Sequence, residues 1–174
     1  GGNNAAVFLD DWTFDDADMV ALARGAYGFA GQRCTAIRRL IVQRGIRERF
    51  VAAFAAAVDA LTVGDPTEPT TLVGPLISVE HRERVEAKLD AALADGARII
   101  TRTRLPAAAE HDRWAGRWLA PALLGGVDPA SSIARKETFG PIALILEAAD
   151  LDQAIDIANA VPQGLVAALY SDDA

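Results

Sequence analysis

The sequence predicts an α/β fold, a largely parallel sheet flanked by helices. Three observations predict it. Short apolar runs of strand length alternate with longer segments whose apolar residues recur at helical spacing. Hydrophobic residues make up 51% of the 174, enough for a real core in a chain the size of one compact domain. No repeat, low-complexity tract or internal linker divides the chain, so one globular unit over residues 1–174 is expected.

The elements follow in order. Ala5–Leu9 is an apolar strand ended by the polar turn at Asp10 and Asp11. Thr13, three residues before Asp16, has the spacing of a capping box and opens a helix to about Arg24 or Ala26. Ala36–Val42 is a second strand, and the segment YGFAGQRCT connects it to that helix. From Ile46, the positions Phe50, Phe54, Ala57, Val58 and Leu61 form one apolar face while Arg47, Glu48 and Arg49 turn outward, an amphipathic helix. Three prolines and two glycines make Val63–Pro75 a loop. Val79–Ala94 is the next helix, with Gly96 as its stop, and Ala97–Thr101 a short strand. Leu105–Gly116 is mixed and polar, an expected exposed excursion. Trp118–Leu124 and Pro141–Leu146 read as extended, Asp150 caps a helix to about Ala160, and Gly164–Tyr170 is the last strand.

Charge and composition exclude several classes. A net charge of -7, from 17 Lys+Arg against 24 Asp+Glu, argues against a nucleic-acid partner. No apolar run approaches the roughly 20 residues that span a bilayer, and the first residues lack the pattern of a secretory signal; a soluble, cytoplasmic protein with no membrane partner is expected. His81 and His111, the only histidines, are not at ligand spacing from each other or from Cys34, so no metal site is expected.

Cys34 is the only cysteine and cannot form an internal disulfide, which leaves it as buried filler or as chemistry. Its setting favours chemistry. Gln32, Arg33 and Thr35 are polar, Gly31 permits close approach of the backbone, and Arg38 and Arg39 follow on the strand. Positive charge nearby favours the thiolate, the nucleophilic form.

Four segments resemble motifs of the aldehyde dehydrogenase superfamily, in the family's order and at family-like spacings. YGFAGQRCTAIR, Tyr27–Arg38, resembles its active-site cysteine motif, and GGNNAA, Gly1–Ala6, the tail of its glutamate motif. KETFGPI, Lys136–Ile142, is similar to its cofactor-ribose motif, and ANAVPQGLVAALYS, Ala158–Ser171, to the stretch that follows. The resemblance implies the catalytic-domain fold of that family and a mechanism. Cys34 is the nucleophile toward an aldehyde, its backbone N–H is half of an oxyanion hole, NAD or NADP accepts the hydride, and water hydrolyses the thioester. Glu137 falls on the position that holds the nicotinamide ribose hydroxyls, Phe139 on an aromatic packed beside the cofactor, and Lys136 on a possible ribose contact. Within the superfamily the pattern most resembles the succinylglutamate semialdehyde dehydrogenases. Arg33, Arg38 and Arg39 could then favour an acidic aldehyde; alternatively Arg33 faces solvent or is ion-paired, and the arginines of the strand merely line one of its faces.

Gly1 begins a motif and Asp172–Ala174 follow directly on a strand, so the chain is expected to be a catalytic domain excised from a longer protein. On the family's pattern, the general-base glutamate, the oxyanion-hole asparagine and the main cofactor-binding domain lie upstream of Gly1. That domain is the expected partner, in an oligomeric parent, and the isolated segment is expected to be inactive. Two other classes fit a lone reactive thiol. A cysteine hydrolase needs a histidine base beside Cys34, and a non-catalytic assembly domain would carry Cys34 fully buried.

Overall fold

The chain is described here from a computed structural model, which covers residues 1–107, 109 and 112–173. Strand β1 is Asn4–Phe8, α1 Asp16–Tyr27, β2 Ile37–Gln43, α2 Arg47–Asp59, α3 Val79–Ala94, β3 Arg98–Arg102, β4 Ala122–Gly125, α4 Ser132–Arg135, β5 Ile142–Ala148, α5 Leu151–Asn159 and β6 Ala167–Tyr170. The strands make one sheet in the order β3-β4-β5-β2-β1-β6. Every neighbouring pair is parallel except β3 with β4, so the sheet is largely parallel, as the apolar runs predict. Strands β2 and β5 sit near its middle, with burial on both faces giving their near-continuous apolar sequences.

Helices α1 and α2 pack on each other and on β2, while α5 packs on β1, β2 and β5. Phe8 of β1 packs against Phe50 of α2, Trp12 and Tyr170, at ring-centroid separations of 4.5, 5.3 and 4.8 Å, stacked on Tyr170 and tilted to the other two. This aromatic cluster closes the C-terminal end of β1.

Some local expectations shift. The N-cap of α1 is Asp15: its carboxylate accepts the Asp18 N–H at 3.0 Å and Asp18 accepts the Asp15 N–H at 3.0 Å. Thr13 has equivalent spacing to Asp16, but its N–H donates instead to Asp172, beside β6. Pro121 has no N–H for a ladder, and regular pairing of the Trp118–Leu124 run begins only at Ala122. Likewise β6 begins at Ala167 because the Val166 N–H goes to the Asn4 side chain at 3.2 Å. In the Leu105–Gly116 excursion most described residues are exposed, Ala109 is buried, and Trp114 meets Trp118 edge to face. Residues 108, 110 and 111, and with them His111, lie outside the described residues.

Candidate active site

Parallel pairing decides where the site is. The four segments singled out in the sequence run into the starts of β1, β2 and β5 and through β6, and those strands are mutually parallel neighbours. All four starts therefore gather at one edge of the sheet.

Cys34 reaches that edge through a tight reversal. Tyr27 ends α1 with its ring buried and its hydroxyl donating to Ala122 O at 3.0 Å, and burial pushes that hydroxyl far above its ordinary range. The chain then turns through Gly28–Gly31, where Phe29, Ala30 and Gly31 all have left-handed backbones, with φ of 58°, 54° and 66°. Such a conformation in non-glycine residues persists only when surrounding packing holds it. Its result is an exposed Cys34 on a short connection ahead of β2. The burial of Cys34 that would support an assembly domain is not found. Among the described residues nothing accepts the Cys34 N–H.

Asn3 and Asn4, unassigned in the sequence analysis, lock this edge together. Asn4 Nδ2 donates to Cys34 O at 2.7 Å and Ala36 O at 2.9 Å, and Asn3 Nδ2 donates to Ala134 O at 2.8 Å. Both are buried. Gly2 lies so close that a Cβ there would strike the Cys34 carbonyl oxygen, and a Cβ on Gly1 would strike the Glu137 carboxylate. Adjacent Cα atoms are 3.8 Å apart, so the Cys34 carbonyl and the Glu137 carboxylate lie within roughly 11 Å of each other across this dipeptide. The signal in sequence was a polar Asn-Asn pair directly preceding an apolar strand.

Glu137 is half-buried, and its Oε1 is buried with no hydrogen-bond partner among the described residues. Lys88 Nζ donates to the Glu137 main-chain oxygen at 2.7 Å; desolvation lowers the Lys88 ammonium from its ordinary value and the Glu137 charge opposes that shift. Phe139, with φ of 54°, turns its ring partly to solvent and lines an open groove of about 640 Å³ with Phe29, Gln32 and Ile77. Its carbonyl oxygen is 2.7 Å from His81 Nε2. Lys136 is exposed and lines a separate small cavity with Lys88 and Ser132.

The arginines behave unlike either sequence-based alternative. Arg38 and Arg39 are 2% and 3% exposed, and both bind main-chain carbonyls. Arg39 Nε donates to Asn3 O at 2.9 Å, and its terminal nitrogens to Ile157 O and Ala158 O at 2.8 and 2.9 Å, satisfying the end of α5. Arg38 Nη1 donates to Gly140 O at 2.7 Å and its Nη2 to Gly31 O. Burial draws the Arg38 guanidinium down to about 10, against the pull of the Glu137 charge; burial lowers Arg39 too. Arg33, half-buried, donates to Arg24 O and Gly25 O at the end of α1, both at 3.1 Å. Each guanidinium is thus engaged with the backbone, which corrects the suggestion that they attract an anionic substrate. Sequence does not distinguish a buried arginine from a surface one, because both follow the same alternation along a strand.

No histidine base is placed on the thiol among the described residues. The imidazole of His81 is held by Phe139 O and, at 3.3 Å on Nδ1, by Arg84. Nor does any group of three or more His, Cys, Asp and Glu among the described residues form a candidate metal site. No helix of the described residues is long and apolar enough to cross a membrane.

Comparison with known proteins covers the whole chain. The sequence model of the Aldehyde dehydrogenase family matches residues 1–174. The chain is 36% identical over 173 residues to a vanillin dehydrogenase of Pseudomonas fluorescens, covering 99% of this chain and 34% of that protein. It is 33% identical over 173 residues to a succinate semialdehyde dehydrogenase (NAD(P)+) of Escherichia coli, covering 99% of this chain and 36% of the relative. Among solved structures, betaine aldehyde dehydrogenase from Staphylococcus aureus in complex with NAD+ superposes with a TM-score of 0.87 at 33% identity, over 99% of this chain and 34% of that one. The chain spans about a third of the length of these relatives.

Proposed function

The chain belongs to the aldehyde dehydrogenase family, and from that premise we propose that it carries the nucleophile and the nicotinamide-side contacts of an enzyme oxidising an aldehyde to a carboxylic acid. The observation that carries this reading is the meeting, at one sheet edge, of an exposed thiol and a carboxylate with a buried, unpartnered oxygen. A buried acceptor of that kind is costly unless a donor completes it. The paired hydroxyls of a nicotinamide ribose are such donors, so Glu137 fits the cofactor, with Phe139 as the apolar surface beside it.

Cys34 Sγ, as the thiolate, adds to the aldehyde carbon, and the carbonyl electron pair moves onto oxygen. That developing alkoxide is stabilised by the Cys34 N–H, a donor with no competing acceptor among the described residues. NAD or NADP, when bound, supplies the two-electron acceptor for the hydride. The carbonyl re-forms as a thioester on Cys34, water cleaves it, and the acid leaves with the thiol restored. The water-activating base, the second oxyanion donor and the rest of the cofactor site belong, on this proposal, to further parts of a longer protein. An acid semialdehyde as substrate is supported by likeness to relatives and not by Arg33, Arg38 and Arg39, which bond main-chain carbonyls.

In the full-length enzyme, Cys34→Ala is expected to abolish NADH formation, and Cys34→Ser to leave a trace, because a hydroxyl ionises far less readily than a thiol. Substantial turnover by Cys34→Ala would overturn the assignment.

A further inference from the structure

We propose that Arg38 is a positioning residue: its buried guanidinium spans the seam between the Cys34 turn and the Glu137–Gly140 segment and sets the separation of thiol and cofactor. This role presupposes the aldehyde chemistry proposed above.

The placement begins in the strand register. Asn4 pairs with Ile37 and Ala5 with Arg39, so Arg38 is an extra residue on β2. A bulge of this kind redirects a side chain. Ile37 lies against Gly25 of α1, Arg39 reaches the end of α5, and Arg38 turns into the gap between the two functional segments. There its Nη1 holds Gly140 O at 2.7 Å, while Nη2 holds Gly31 O and, at 3.4 Å, Arg33 O. Gly31 is three residues before Cys34 and Gly140 three residues after Glu137. One rigid planar group thus fixes the position of each segment relative to the other. The seam has no slack, since a Cβ on Gly31 would collide with the Gly140 carbonyl oxygen. Burying a cation to hold neutral carbonyls is a costly way to close an interior seam. Lysine could not replace it, because an ammonium lacks the fixed, diverging donors of the guanidinium.

The test compares Arg38→Met, Arg38→Lys and Cys34→Ala in the full-length enzyme. Three quantities are measured: thermal unfolding, alkylation of Cys34 by iodoacetamide without cofactor, and the single-turnover burst of NADH with a simple aliphatic aldehyde. Arg38→Met is expected to fold and to alkylate at nearly the parent rate, yet lose about a hundredfold in the burst, the scale of an ångström of misplacement. Arg38→Lys, which restores the charge but not the diverging donors, is expected to leave the burst lowered as well. A parental burst per alkylatable thiol in Arg38→Met, or alkylation that falls in step with the burst, would overturn the positioning role. Should Arg38→Met fail to fold, Arg38→Lys decides: a parental burst overturns the role, and a burst lowered about tenfold or more upholds it. Turnover by Cys34→Ala would instead remove the chemistry on which the role depends.

Discussion

Glu137 keeps Oε1 buried and unpartnered among the described residues, with the carboxylate pressed against Gly1. A charged acceptor in that state gains more from an incoming hydroxyl donor than a neutral amide would, since a hydrogen bond to a charged group contributes about 1.5–3 kcal/mol and one between neutral groups about 0.5–1.5. Glu137→Gln is accordingly expected to slow hydride transfer about tenfold. Alkylation of Cys34 should stay near the parent rate, because the proposed role places the carboxylate on the cofactor and not on the thiol. Single-turnover NADH formation and iodoacetamide labelling measure the two separately. Unchanged hydride transfer with lost thioester hydrolysis would make Glu137 the water-activating base instead. This residue was legible in sequence through its motif. The backbone-binding roles of Arg38 and Arg39 were not, since each needs a partner far along the chain, Gly140 at 102 positions and Ile157 at 118.

At the scale of elements, capping signals identified helix ends where one candidate stood alone. Asp150 precedes α5 and accepts the Gln153 N–H at 2.8 Å, as its position implies. Removing that acceptor in Asp150→Ala is expected to cost about 1 kcal/mol, while Asp150→Asn should cost less because the amide oxygen still caps. For a chain of this size the loss corresponds to roughly 2–4 °C in Tm, readable by calorimetry. Equal Tm values for the parent and Asp150→Ala would show that the cap contributes nothing. Helix α3 matches its expected bounds, Val79–Ala94, at both ends, because Ser78 caps the start and Gly96, with φ of 100°, provides the turn just beyond the end. At α1 the expected pair, Thr13 with Asp16, does not form: the Thr13 N–H goes to a tertiary partner, Asp172, and the cap is Asp15 with Asp18.

For the molecule as a whole, the aromatic cluster around Phe8 and the buried strands β2 and β5 supply a continuous core. The 174-residue chain by itself is therefore expected to unfold cooperatively on heating. Incubated with succinate semialdehyde and NAD+, it is expected to give no sustained NADH. On the proposed function the water-activating base and the second oxyanion donor come from other residues, and loss of each typically costs on the order of a hundredfold. Sustained, Cys34-dependent NADH production by the chain alone would show that nothing beyond these residues is needed.

The sequence by itself determined the α/β class, the succession of strands and helices, and the four segments that resemble the family's motifs, because periodicity and local motifs depend on near neighbours in the chain. Tertiary structure decided the strand order, the antiparallel pairing of β3 with β4, and the gathering of all four segments at one edge. It also decided that Arg38 and Arg39 are interior. Periodicity says that a residue leaves one face of a strand; what covers that face is set by segments more than a hundred residues away. A buried guanidinium bonded to carbonyls is thus decided only when those segments pack.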